Sequence, residues 1–415
     1  MTRRRWVVLT ALLVLAPAAS GSDWPQFMGP NRNGTAPGER LLRSWPEGGP
    51  RELWTVKLGP GFGGPAIRDG RVYVLDRQQN RENILRCFDL ETGEEKRRFA
   101  HPIRGKLSYN GSRSTPTVGE KYIYTIGPFG QMHCIDRATH KAVWAKHLLK
   151  DFGSRRHRWG VSQSPLLYKD TVIIAPLSKS GPGVVALKKD TGELVWKSPG
   201  FGPMRYMSPQ VRTIAGVEQV LMASYTRTVG IEPGTGRVLW TYGKWRCNIP
   251  VPTPTLLPDD RVFISGGYGA GTVAIRVKKA GDGFRVNELW RLERLGSHIH
   301  MALIHENHIY AQFNTKRTHD GLACVTLDGT VKWKTNRDPN FDWGGMILAD
   351  GLILAMDGRT GVLRLVEPDP RQYKELAAAR VLGGRHIWGP MALADGRLVC
   401  RDQRQMKCLV VGPTR

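Results

Sequence analysis

No two of the six cysteines in this 415-residue chain are adjacent, and no Gly-x-Ser-x-Gly, His-Glu-x-x-His or P-loop pattern occurs. The common serine-hydrolase, zinc-protease and nucleotide-phosphate signatures are therefore missing. After the first twenty residues no apolar run reaches the roughly 18 residues that mark a bilayer-spanning helix. Acidic residues are scarce, 36 Asp and Glu against 61 Lys and Arg, for a net charge of +25. The 48 Gly and 27 Pro are too few and too aperiodic for collagen, but suit a turn-rich β protein. Apolar residues make up 40% of the chain, enough for a folded core and against a disordered one.

What is present begins with an address. Arg3, Arg4 and Arg5 precede the apolar stretch from Trp6 to Ala16, and the small residues Ala18, Ala19, Ser20 and Gly21 follow. This is the layout of a secretory signal peptide. Residues 1–20 are assigned to it, residues 21–50 to an N-terminal segment, and 51–415 to one repeat domain. The first cysteine is Cys87, too far along for a lipoprotein anchor. A periplasmic or secreted protein without a transmembrane segment is expected, and a monomer.

A repeat dominates the rest. Cys87-Phe-Asp-Leu-Glu-Thr-Gly93 returns as Cys134-Ile-Asp-Arg-Ala-Thr-His140, Ala186-Leu-Lys-Lys-Asp-Thr-Gly192 and Gly230-Ile-Glu-Pro-Gly-Thr-Gly236. Each copy runs into an aromatic residue, taken as Phe99, Trp144, Trp196, Trp240, Trp290 and Trp333, spaced 43 to 52 residues apart. Between these lie apolar runs split by a polar turn, such as Pro65 to Val74 around Asp69-Gly70. Asp-Gly between β-rich runs signals a hairpin. Four strands per 40–50 residues is the signature of a propeller blade. Eight such units predict an all-β, eight-bladed propeller of four-stranded antiparallel blades. Arg51 to Leu58 reads as a fourth strand and would close the ring against the last blade. Seven blades is the alternative, because the seventh unit's last strand lacks Trp. The tryptophans Trp54, Trp144, Trp196, Trp240, Trp290 and Trp333 are expected to dock neighbouring blades.

The Ala/Cys-x-Asp-x-x-Thr-Gly-x-x-x-Trp motif resembles the pyrroloquinoline quinone (PQQ)-type propeller repeat, over most of residues 51–411. Asp23-Trp-Pro-Gln-Phe-Met-Gly-Pro30 is similar to the opening of that group. The resemblance implies the fold. It admits two kinds of function: quinoprotein dehydrogenases, which use PQQ and Ca²⁺, and non-catalytic members, such as the outer-membrane assembly factor. Quinoproteins of this type carry a vicinal disulfide, absent here, so the chain resembles the non-catalytic members more closely and no cofactor is expected.

The loops that lead into each blade's first strand should line the channel mouth. They hold nineteen Lys or Arg against four carboxylates, Asp151, Glu293, Asp338 and Asp342. A hard cation would find few ligands there. The field would instead attract an anionic or protein partner; an anionic envelope polymer is a candidate, and export argues against nucleic acid. The candidate binding residues are Arg113, Arg155, Arg156, Arg158, Trp159, Arg205, Tyr206, Arg246, His298, His300, Trp343, Arg385 and Trp388. No catalytic residue is nominated. The alternatives to a binding scaffold are a PQQ-dependent oxidoreductase acting on alcohols or sugars, and an assembly factor for outer-membrane proteins.

Other clusters read as structural. His298 and His300 would alternate along a strand and share one face, without a third metal ligand nearby. Cys87, Cys134, Cys324 and Cys408 read as small buried residues, each in its own blade. Cys400 and Cys408 could face each other across a hairpin, and Cys247 is the expected exposed thiol. The glycines of Gly266 to Gly271 fall in a strand–strand turn, so no phosphate cradle is expected.

Overall fold

The computed structural model describes residues 23–413 apart from 179 and 317; the expected signal peptide lies outside the described residues. The chain forms eight antiparallel four-stranded blades around a central channel. Blades 1 to 7 span residues 66–102, 117–147, 166–197, 210–242, 255–292, 303–334 and 346–380. Blade 8 takes three strands from residues 392–410 and its outer strand from Glu52–Lys57, which pairs antiparallel with Gln405–Val410. The ring is thereby closed by its two ends. Among the described residues the one helix is the single turn Leu148–Asp151.

Burial follows position in the blade. Second strands such as Thr171–Ile174 are covered by neighbouring blades on both faces and read as continuous apolar runs. Outer strands such as Glu95–Pro102 face solvent and carry charged residues. The predicted hairpin turns have both central residues in the left-handed region, as at Asp69 (φ 48°) and Gly70 (φ 67°). That geometry matches the twist of the strands they join.

The repeat's aspartate folds its own turn: Asp89 Oδ1 accepts from the amides of Glu91 and Thr92, and Asp136 Oδ1 from those of Ala138 and Thr139. The tryptophans reach across to the following blade. The indole N–H of Trp54 donates to Leu90 O at 2.8 Å, Trp144 to Lys189 O at 2.9 Å, Trp196 to Pro233 O at 3.1 Å, Trp290 to Leu327 O at 2.9 Å and Trp333 to Asp369 O at 2.8 Å. Trp240 differs, donating to Gln219 within its own blade. The next blade there has a long hairpin, Gly271–Ala280 with Gly283–Leu292, in place of the Thr-Gly turn.

The register corrects one reading of the repeat. In six blades the tryptophan pairs with the small third-strand residue, as Trp144 does with Cys134. In blade 1 the residue opposite Cys87 is Arg97, and Phe99 lies two places on, opposite Leu85. Phe99 is thus not the counterpart of the tryptophans. Blade 7 places Ala377 at the equivalent position, opposite Leu365.

The N-terminal segment crosses the end of the channel formed by the hairpin turns. Trp24 bridges to Ile67 of blade 1, and Pro25 O accepts from Val118 N of blade 2. The buried Arg32 guanidinium donates to Pro165 O and Ser164 O of blade 3. Thr35–Ala36 then adds a parallel fifth strand to blade 7, and Glu39 accepts from the amides of Asp395 and Gly396 in blade 8. The channel is floored at this end and opens at the other.

All six cysteines are free and buried. Cys400 pairs with Lys407, and Cys408 with Val399. Adjacent register positions point to opposite faces of a sheet, so the two thiols do not meet across the hairpin. Cys247, expected to be exposed, is 1% exposed, because its loop folds the side chain against Gly266 beneath Trp245.

Candidate functional site

The open end of the channel is a cup of about 180 Å³ whose wall is made largely of rings. One arc runs continuously from Phe62 through Trp388, Trp343 and His298 to Tyr268, with successive ring centroids 5.6, 4.8, 4.4 and 4.6 Å apart. Facing it, Trp159 and Tyr206 lie 5.6 Å apart. The Lys316 ammonium bridges the two arcs, 5.9 Å from both the Trp159 and the Tyr268 ring. A cation within about 6 Å of a ring face is attracted to it. Phe27 of the N-terminal segment contributes to the wall, and Thr115, Ser162 and Ser208 add hydroxyls.

The rings are held by polar contacts behind them. Asn314 donates to Asn340 O and Asp342 O and accepts from Gly321 N, tying blade 6 to the loop that carries Trp343. Asp342 in turn accepts from Trp388 Nε1 at 3.1 Å. His300 Nε2 donates to Trp343 O at 2.9 Å. These bonds fix the ring faces before any ligand arrives.

Electrostatically the cup is neutral to basic. Burial holds the His298 and His300 imidazoles down to about 4, assisted at His298 by the Lys316 charge and opposed at His300 by its backbone hydrogen bonds. Both are neutral at pH 7. Arg113 is buried and lowered to about 10 by desolvation; it donates to Gly111 O and Tyr109 O and lies 5.5 Å from the Phe62 ring. No carboxylate appears among the described wall residues.

Seven of the residues nominated from sequence line this cup together: Arg113, Trp159, Tyr206, His298, His300, Trp343 and Trp388. His298 and His300 lie in the loop before the strand Leu303–His305, not on a strand. The other six are outside the wall. Arg155, Arg158, Arg246 and Arg385 are exposed, Arg156 lies over the Phe129 ring at 5.3 Å, and Arg205 donates to His157 and Asn248 O. Arg97 and Arg98, two of the nineteen cations ascribed from the sequence to the mouth loops, belong to the strand Glu95–Pro102 and lie away from the mouth. Sequence reasoning missed Phe27, Tyr109, Tyr268 and Lys316. Tyr268 and Lys316 come from connections between second and third strands, which share the mouth with the blade-to-blade loops.

Calcium takes six to eight oxygen ligands, usually with several carboxylates. The cup offers hydroxyls and rings, and Asp342 is engaged by Trp388. Among the described residues no three His, Cys, Asp or Glu side chains converge as a metal site. The donor set does not fit a calcium-bound quinone.

The profile of the family described as outer membrane protein assembly factor BamB matches residues 80–335. No curated protein sequence matches the chain. Among solved structures, BamB from Moraxella catarrhalis is similar at 14% identity and a TM-score of 0.61, over 88% of this chain and 99% of that one. Quinohemoprotein alcohol dehydrogenase from Comamonas testosteroni is similar at 12% identity and 0.62, over 95% and 81%. The computationally designed Ika8 protein is similar at 10% identity and 0.58, over 90% and 100%. At these identities the structures establish a common fold.

Proposed function

This chain belongs to the family of outer membrane protein assembly factor BamB, and from that premise we propose that it is an exported, non-catalytic binding propeller of the cell envelope. Its channel mouth receives an anionic group carried by a protein partner. The leader-like layout of residues 1–20 supports export. The observation that carries the reading is the composition of the cup: two arcs of rings bridged by the Lys316 ammonium, with Arg113 behind and no acid in the described wall. Rings offer area for stacking and the cations offer charge, while the neutral imidazoles can hydrogen-bond without repelling either. Arg155, Arg156 and Arg158 extend the positive field outward, where it steers an acidic partner toward the cup.

The test is fluorescence anisotropy of a labelled peptide rich in Glu and Phe. Raising ionic strength from about 0.01 M to about 0.15 M shortens screening from ~30 to ~8 Å and should weaken binding several-fold. Reversing Arg155, Arg156 and Arg158 to Glu should slow association, and Trp388→Ala should speed release. Salt-insensitive binding, unchanged by either set of substitutions, overturns the reading. The second reading, an oxidoreductase, draws on the planar faces of Trp343 and Trp388, which could stack on a quinone. Native mass spectrometry after incubation with PQQ and Ca²⁺ decides it: a stoichiometric adduct would favour that reading despite the poor donor set.

A further inference from the structure

Two of the eight blades lack a tryptophan at the docking position: blade 7, with Ala377, and blade 1, with Arg97. At blade 7 the chain supplies cover from elsewhere. A Cβ on Gly49 would fall 2.3 Å from the Ala379 Cβ, and Trp45 packs against the core shared by blades 7, 8 and 1. Among the described residues no tryptophan lines the junction of blades 1 and 2, where a groove of about 550 Å³ opens instead.

The rest of the docking apparatus is in place there. In blades 2 and 6 a tyrosine on the second strand pairs with the third-strand cysteine, Tyr124 with Cys134 and Tyr310 with Cys324. Each tyrosine packs on its blade's indole, at 6.0 and 6.1 Å. Blade 1 repeats the pair as Tyr73 and Cys87, and both line the groove. In the following blade the docked indole of most junctions covers a glycine, Gly93 under Trp54 and Gly192 under Trp144. At this junction the equivalent residue is His140, held at φ 55°. A non-glycine residue pays for that conformation, and a strained residue beside a groove points to a use. The imidazole stacks on Tyr73 at 6.2 Å, is 6% exposed, and its Nδ1 has no hydrogen-bond partner. The carbonyl matching Leu90 and Lys189, which accept from indoles elsewhere, is that of Arg137. Five Lys or Arg line the groove against three acids; Arg137 pairs with Asp69, Arg71 with Asp89 and Lys96 with Glu94, Asp136 caps its own turn, and Arg97 and Lys121 form no ion pair among the described residues.

We propose that the groove between blades 1 and 2 is a docking slot for a tryptophan side chain of a protein partner, presented beside a carboxylate. The indole lies over His140 and Tyr73 and beneath the exposed Arg97, completing in trans the junction that Trp144 and Trp54 complete in cis. The carboxylate meets Arg97 and Lys121.

The probes are acetyl-Glu-Trp-Glu-amide and acetyl-Glu-Ala-Glu-amide, read by saturation-transfer NMR on the full chain. The indole protons of the first should saturate with wild type, and the second should bind at least about tenfold more weakly. Arg97→Trp with His140→Gly rebuilds the intramolecular pair, and should abolish binding while raising Tm. Arg97→Glu with Lys121→Glu, which leaves the slot open, should weaken binding by about tenfold, and serves if the filled variant misfolds. Each variant is also read in the Trp388→Ala background, so that binding in the channel cup at the opposite end of the propeller does not mask the groove. Equal binding of the two peptides, or full binding by the filled variant or the charge-reversed one, overturns the proposal. Loss of binding in Trp388→Ala alone would place the peptide in the cup and overturn it as well.

Discussion

The imidazole of His298 lies flat on the indole of Trp343, with ring centroids 4.4 Å apart and 12° between their planes. The stack joins the loops of blades 6 and 7 at the channel mouth, and it leaves His298 Nδ1 against Gly267 without a hydrogen-bond partner. A protonated ring would be poorly served there, with the Lys316 ammonium nearby.

This fixes the sign of an acid response. His298 and His300 titrate at about 4 in the folded chain, well below the ordinary 6.5. Above pH 6.5 neither state takes up the protons. Between 6.5 and 4 the unfolded chain binds them and the folded chain does not, so stability falls as pH falls. Below 4 these two groups cost nothing further. Each histidine contributes about 1.4 kcal/mol per pH unit across that window. Urea unfolding at pH 7.5 and pH 5 should show the loss, with a shallower slope for His300→Gln. Equal stability at the two pH values would refute the assignment of neutral, buried imidazoles.

Asn314 supports the same wall. Its side chain satisfies two carbonyls of the 340–343 loop and one amide of blade 6. Asn314→Leu strands three buried or half-buried groups, each costing about 1–3 kcal/mol. A loss of about 3 kcal/mol or more is expected, together with a red shift in tryptophan emission as Trp343 and Trp388 loosen. A variant as stable as wild type with unchanged emission would show that the loop holds without it.

The cysteines should be silent. Burial pushes the Cys87 thiol up to about 11, and those of Cys134, Cys247 and Cys400 up to about 12. The thiolate is the reactive form, so maleimide should label none of the six in the folded protein at pH 7 and all of them in guanidinium. Rapid labelling of the native chain would contradict this burial.

The repeat was legible because it is written several times. Each Asp, Thr and Gly does local work in its turn, and each Trp recurs at the place that meets the next blade, so period and chemistry agree. The cup was half legible. Arg113, Tyr206, Trp343 and Trp388 could be placed because each stands three or four residues before the first strand of its blade. Tyr268 and Lys316 sit in connections whose lengths differ from blade to blade and carry no periodic mark, and Phe27 arrives from outside the repeat. Arg97 escaped because Phe99, two residues on, supplied an aromatic at nearly the right spacing. Only strand register separates the two. Cys247 looked exposed because a loop position says nothing of the turn that folds it inward.

The same register sets up a test of what holds neighbouring blades together. Gly192 sits at φ 72° beneath Trp144, where an added Cβ would come within 2.8 Å of the indole. Trp144 donates to Lys189 O three residues earlier in the same turn. Removing the indole forfeits its buried area and that bond, and Trp→Ala changes of this kind cost about 3–5 kcal/mol. Gly192→Ala brings two penalties: left-handed strain of about 1 kcal/mol, and a collision that pushes the indole away. In the absence of Trp144 the collision vanishes and the strain remains. The double variant should therefore be more stable than the sum of the single changes predicts, by about 1 kcal/mol or more in a double-mutant cycle. Strict additivity would mean that the turn and the indole hold their blades independently, and that the Thr-Gly and Trp halves of the repeat recur for separate reasons.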